Sequence, residues 1–259
     1  MRFASLASGS RGNCLVVEGG GTRVLLDCGL SPRETRRRLG RLGVAPEGLS
    51  GILLTHEHDD HVGGAFAFAA AHSLTLYLTR GTLRAAADAG KLVDGVRTEL
   101  IDGRGAFAVG GIEARPFTVP HDAREPVQYV LSDGALSLGV LTDIGAPTAH
   151  VIDMLSGRDA LVLECNHDPA LLRDGGYPRW LKERIGGPLG HLDNEQAAGL
   201  LGALDRSRLQ HVIGAHLSQQ NNRPELARAA LAGALGCAAD WVGLATQDEG
   251  FGWRDLRQG

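Results

Sequence analysis

One stretch constrains this chain more than any other, Gly51 to Gly64, which reads GILLTHEHDDHVGG. Gly51 to Leu54 is an apolar run, long enough for a buried strand and too short for a helix. After Gly63-Gly64, Ala65 to Ala71 is apolar and helix-forming. Three histidines (His56, His58, His61) and two aspartates (Asp59, Asp60) therefore crowd one six-residue turn between a strand and a helix. In a tight loop, His56 and His58 point to one position while Asp60 and His61 point to its neighbour. That suits two cations a few ångströms apart, each taking neutral imidazole and carboxylate ligands. The alternative is a solvated polar turn that happens to be histidine-rich, but such density has no structural benefit without a metal.

Strands and helices alternate around this loop. Phe3 to Ala7, Cys14 to Glu18 and Arg23 to Leu26 read as short strands, with Gly19-Gly20-Gly21 as a hairpin turn. Pro32 to Leu42 reads as a helix with Ser31 as its N-cap. Leu74 to Leu78 is a strand and Gly81 to Ala89 a helix. Between Arg97 and Leu141 the pattern is all strand: 98–101, 106–109, 112–118, 128–131 and 136–141, with hairpin signals at Gly110-Gly111 and Asp133-Gly134. Helices are then expected at 147–155 and 180–185, and from the Asp193/Gln196 capping box to Leu204, with another at 224–235. Strands are expected at 160–164, 212–215 and 241–245. Strand-rich halves, each covered by helices, imply an α/β fold of two sheets packed face to face with helices outside.

No Pro/Ser-rich run, charge block or low-complexity segment interrupts the 259 residues, so one domain spanning 1–259 is expected. The 43% hydrophobic content is ample for a core. No stretch approaches membrane-spanning length and no signal-peptide core is present, and four scattered cysteines without a Cys-x-x-Cys pair fit reduced thiols in a cytoplasm. A net charge of −4 neither announces nor excludes a nucleic-acid partner. Two basic stretches run against it. Arg33 to Arg41 reads as a solvated helix face. Arg173 to Arg184, with Arg179, Lys182 and Arg184 around Tyr177 and Trp180, interleaves bases with aromatics as strand-gripping surfaces do, and equally reads as a solvated face.

His-x-His-x-Asp-His after an apolar strand ending in Thr55 resembles the metallo-β-lactamase-fold hydrolases. The closer resemblance is to the YycJ/WalJ/VicX-type branch, related to tRNase Z. It is carried in order by Ala7 to Asn13, Thr55 to His61, His121-Asp122, Thr142-Asp143, Glu164 to Asp168, Gly190-His191 and Ala215 to Asn222. The resemblance implies a four-layer αββα sandwich. It implies that His56, His58 and His121 hold one metal, that Asp60, His61 and His216 hold a second, and that Asp143 bridges them.

It also implies a dinuclear-metal phosphodiesterase, 5′-exonuclease-like on double-stranded DNA, working through a metal-bound hydroxide. Zinc is the expected metal, with manganese or iron also compatible with His/Asp ligands. Asp60 orients the nucleophile while ligating. His191 is expected to donate a proton or contact phosphate, with Glu164 orienting it; a helix-entry histidine and a solvated strand-end carboxylate are the plain alternatives. Candidates for substrate contact are Asn13, His167, Arg179, Lys182, Asn221 and Asn222, any of which equally shapes a turn or faces solvent. Asp27 is placed to brace the ligand loop. The competing functions are a small-molecule hydrolase of cyclic phosphodiesters or thioesters, and a regulatory protein with a vestigial site.

Overall fold

The computed structural model describes residues 1–258. The first half opens with β1 (Arg2–Ala7), β2 (Cys14–Gly19) and β3 (Thr22–Leu26). Then come α1 (Pro32–Arg41), β4 (Gly51–Leu53), α2 (Asp59–Val62), α3 (Ala65–His72), β5 (Leu76–Leu78), α4 (Arg80–Asp88) and β6 (Thr98–Leu100). The second half begins with β7 (Phe107–Val109), β8 (Ile112–Thr118), β9 (Val127–Ser132) and β10 (Ser137–Leu141). It continues with α5 (Ala149–Leu155), β11 (Ala160–Glu164), α6 (Pro169–Asp174), α7 (Arg179–Ile185) and α8 (Asn194–Ala203). The chain closes with β12 (His211–Ala215), α9 (Pro224–Leu235), β13 (Gly243–Leu244) and β14 (Phe251–Asp255).

These form two seven-stranded mixed sheets, ordered β14-β1-β2-β3-β4-β5-β6 and β13-β12-β11-β10-β9-β8-β7. Period-two alternation builds the layers, because successive strand side chains face opposite ways. Leu15, Val17, Val24 and Leu26 of the first sheet meet Leu138, Val140, Val162 and Ile213 of the second in one intersheet core. Val16, Leu25 and Ile52 face outward onto α1 and α3 through Leu39, Phe66 and Phe68. Leu161, Leu163 and Val212 face outward onto α5, α8 and α9 through Val151, Leu200 and Leu231. The helix–sheet–sheet–helix sandwich is therefore present as expected. Among the described residues, no helix is long and apolar enough to cross a membrane.

Local signals hold where they are strong. Ser31 caps α1 by accepting from the Glu34 N–H, and the Asp193/Gln196 capping box opens α8. Gly20 and Gly21, at φ 56° and 73°, make the β2–β3 hairpin turn in a conformation glycine adopts without penalty. Several elements differ from expectation, α6 (Pro169–Asp174) among them as a helix not anticipated. The strand expected at 241–245 shrinks to Gly243–Leu244, and β14 follows it, pairing antiparallel with β1. The basic face of α1 is only partly solvated: Arg38 is buried and donates to the carbonyls of Leu6 (2.9 Å) and Gln247 (2.8 Å), fastening the helix to the first sheet.

Candidate metal centre

The site lies at the edge where β3, β4, β10, β11 and β12 end. All five run parallel to a neighbour, β3 with β4 and β11 with both β10 and β12. Such an edge gathers the loops that follow several strands in one place. The loop after β4 carries His56 and His58, and α2 carries Asp60 and His61. A Cβ at Gly29 would collide with the carbonyl of Asp60, so glycine there lets the loop after β3 pass close under α2.

Three site residues adopt positive φ without being glycine: Asp27 at 59°, Asp143 at 56° and His216 at 54°. Each follows within two residues of a strand end, β3, β10 and β12 respectively. Continued alternation would turn these side chains toward the helical layers. The left-handed residue re-aims each one, at about 1–3 kcal/mol apiece, a cost typical of functional sites.

His56, His58 and His121 form one group with donor atoms within 4.8 Å of one another; Asp60, His61, Asp143 and His216 form a second, and Asp143 and His216 join Glu164 and His191 in a third. The non-facing ring nitrogen of each buried histidine is anchored. His61 Nδ1 contacts Asp27 Oδ2 at 2.8 Å, His121 Nδ1 contacts the Gly190 carbonyl at 3.1 Å, and His216 Nδ1 contacts Glu164 Oε1 at 3.2 Å. Each of these partners accepts, so Nδ1 carries a proton and Nε2 is the atom turned inward, able to ligate a cation once it gives up any proton of its own. Thr55 joins the bracing: its N–H and hydroxyl donate to Asp27, and its Oγ1 lies 3.0 Å from His56 Nδ1.

The inward atoms then converge on one another. His61 Nε2 lies 3.0 Å from Asp143 Oδ2, and His121 Nε2 lies 3.2 Å from His58 Nδ1. Buried His56 Nε2 and Asp143 Oδ2 make no hydrogen bond with acceptable geometry, despite the short His61–Asp143 approach. Orphaned buried polar atoms cost free energy, and this converging set of imidazole and carboxylate donors fits divalent cations.

Burial disfavours the charged form of His61 and His216, yet the facing carboxylates, Asp143 foremost, override it and raise both, His216 to about 10. Burial and the neighbouring His61 push His56 well below the usual imidazole range. Asp60 and Asp143 are held below the ordinary carboxylate range: burial opposes the charge, but the surrounding histidines prevail.

Beside this group, Glu164 is fully buried rather than solvated. Its Oε1 accepts from the Asp143 N–H (3.0 Å) and lies 2.8 Å from His191 Nδ1; its Oε2 accepts from the N–H groups of Ile144 (3.1 Å) and Leu192 (3.0 Å). His191 lines a pocket of about 300 Å³ with His58, Asp60, Asp143 and His216.

The expected substrate contacts divide differently. Asn13 is buried and braces the ligands, its Nδ2 donating to Asp60 Oδ2 at 3.1 Å and lying 3.0 Å from His61 Nε2. Asn222 is buried with its Nδ2 spent on the carbonyls of Cys165 (2.8 Å) and Asn166 (3.0 Å). Asn221 is buried with its carbonyl accepting from the Asp168 N–H, and His167 is buried with its carbonyl accepting from the Asn194 N–H. None of these four lines the pocket at the metal cluster. Arg179 pairs with Glu183 at 2.6 Å and Lys182 donates to the Arg173 carbonyl at 2.7 Å, so both lie outside that pocket, whereas Arg184 lines it and pairs with Asp122 at 2.6 Å. Tyr177, Leu181, Ile185 and Leu217 also line it. Tyr177 belongs to the aromatic-and-basic stretch the sequence singles out; no sequence signal marks the other three except their place beside that stretch and the last ligand.

Residues 7–159 match the Metallo-beta-lactamase superfamily. The chain is 36% identical over 234 residues to the exodeoxyribonuclease YycJ of Bacillus anthracis, covering 88% of this chain and 86% of that one. It is 33% identical over 245 residues to the exodeoxyribonuclease WalJ of Streptococcus pneumoniae, covering 94% and 91%. Among solved structures, Zn(2+)-bound PqqB from Methylobacterium extorquens superposes with a TM-score of 0.76 at 19% identity, over 99% of this chain and 100% of that one, a likeness of fold alone. The chain belongs to the metallo-beta-lactamase superfamily, in the branch of the YycJ and WalJ proteins.

Proposed function

We propose that this protein is a dinuclear-metal phosphodiesterase that degrades double-stranded DNA from its 5′ end. The observation that carries the proposal is a cluster of converging His and Asp side chains, most of them braced, beside a His191–Glu164 pair, in a chain over a third identical to an exodeoxyribonuclease along most of its length. His56, His58 and His121 would hold one ion and Asp60, His61 and His216 the other, with Asp143 between them. Zinc fits the donors, and manganese or iron satisfies the same set. When bound, the ions supply Lewis acidity that makes water nucleophilic near neutral pH and offsets charge on the phosphoryl oxygens.

The chain's own residues do the rest. Asp60 accepts a hydrogen bond from the attacking water and so orients it. His191 keeps Nδ1–H on Glu164 at 2.8 Å, which leaves Nε2 to hold a proton for the departing oxygen. Glu164, whose charged form burial opposes but His191 and His216 stabilise, remains anionic and fixes that tautomer. Exposed Arg179 and half-buried Lys182 lie outside the pocket, where the rest of a duplex would run. The four cysteines, none in a disulfide, support work in the cytoplasm.

The test is metal-reconstituted protein incubated with 5′- or 3′-labelled duplex and single-stranded DNA. Stepwise loss of the 5′ label from duplex is expected. Absence of cleavage on every DNA, with turnover of a cyclic phosphodiester, would overturn the nuclease in favour of a small-molecule hydrolase.

A further inference from the structure

The pocket at the metal cluster has two unlike walls. One is the His/Asp cluster; the other is apolar, made of Tyr177, Leu181 and Ile185 from α7 and the loop before it, and Leu217 beyond β12. Catalysis at the metals uses none of these four. Leu181 and Ile185 sit four residues apart and so share one face of α7. The helix has no buried residue, and so its apolar side chains are not spent on the core.

Charge limits what else the pocket takes. Asp59, Asp60, Asp122 and Asp143 line it, and Arg184 is its only lining Lys or Arg among the described residues. That guanidinium is already engaged with Asp122 at 2.6 Å. A phosphate is tolerated only where cations neutralise it, so the pocket has room for one phosphodiester at the metals and no second anionic group beside it. The remainder of the bound group must be uncharged and apolar on one face. At about 300 Å³ the space is at the small end for ligand pockets, the scale of a single nucleotide rather than a run of strand.

We propose that the apolar wall is a nucleobase subsite: the base of the nucleotide whose phosphate reaches the metals stacks on Tyr177, flanked by Leu181, Ile185 and Leu217. This deepens the phosphodiesterase reading and rests on it. Stacking on an aromatic face serves all four bases, so the subsite grips one nucleotide without reading its sequence. It also makes the pocket a one-nucleotide measure, because the adjoining phosphates must stay outside.

The test is calorimetric binding of dAMP and of 2-deoxyribose 5-phosphate to the metal-loaded protein, its Tyr177→Phe variant and its Tyr177→Ala variant. Wild type and Tyr177→Phe should bind dAMP roughly tenfold or more tightly over the base-free sugar phosphate, the usual worth of one stacked base. Tyr177→Ala should lose most of that preference while keeping its affinity for the sugar phosphate. Equal binding of both ligands by wild type, or a preference that survives Tyr177→Ala, would overturn the subsite. Base preference in a protein that cleaves no DNA would uphold the subsite and instead defeat the nuclease reading.

Discussion

Glu164→Gln is the most revealing single substitution, because it preserves shape while removing an acceptor. The carboxylate takes three backbone N–H groups, from Asp143, Ile144 and Leu192, and faces Nδ1 of both His191 and His216. A glutamine carbonyl placed at Oε1 keeps the two imidazoles and the Asp143 N–H. Its amide group then meets the N–H groups of Ile144 and Leu192, donor against donor. Two buried donors left unpaired cost about 1–3 kcal/mol each, so roughly 2–6 kcal/mol in all. For a chain of this size that lowers the melting temperature on the order of 10 °C. Turnover should fall as well, by about 10²- to 10⁴-fold, as His191 loses the charge that fixes its tautomer. Differential scanning calorimetry of chelator-treated protein isolates the stability effect, since the buried N–H groups remain whether or not metal is bound. A melting temperature within a degree or two of wild type would refute the account of Glu164 as a shared acceptor.

Elemental analysis of protein purified without chelator should find two ions per chain, and Asp143→Ala should retain fewer than any other single ligand variant. A wild type that takes up no zinc, manganese or iron would refute the site. Metal uptake should release protons: burial opposes charge on His61 and His216, but facing carboxylates, Asp143 foremost, raise both above their usual value, so the ions must displace protons they hold. Indicator titration near pH 7 should detect about one to two protons released per chain, with metal affinity falling as pH falls. A pH-independent affinity would refute this. His191→Ala should keep its metals and slow turnover by about 10²- to 10⁴-fold; loss of metal would instead make it a ligand. Replacing Arg179 and Lys182 by Ala should weaken duplex binding and flatten its salt dependence by about two phosphate contacts, with a small chromogenic phosphodiester as the control. Equal loss on both substrates would make the stretch structural.

Much of this was legible from residue types and spacing. The loop from His56 to His61 declares itself because its composition is costly without a cation, and the helix starts declare themselves because capping chemistry is local. The positions of Asp143 and His216 follow only from resemblance, since their aim depends on single left-handed residues that no periodicity encodes. Asn13 and Asn222 read as substrate contacts because they lie in site motifs, and Arg38 as solvated because it lies in a run of arginines; each is instead spent on buried partners from distant segments. α6 is short, and its Asp168-Pro169 start sits inside a motif that draws attention to His167. β14 is an edge strand whose partner β1 lies at the other end of the chain, a pairing no local window contains.

The acid-rich lining of the pocket ties the two kinds of ligand together thermodynamically. If the proposed cations bind there, they and not the lining aspartates would set the attraction for a phosphodiester. Any factor by which the metals tighten DNA binding must then reappear as the factor by which DNA tightens metal binding. Substrate would therefore protect the cluster from chelators, and loading would follow demand: where free metal is scarce, the chains most fully charged with ions would be those already seated on a DNA end.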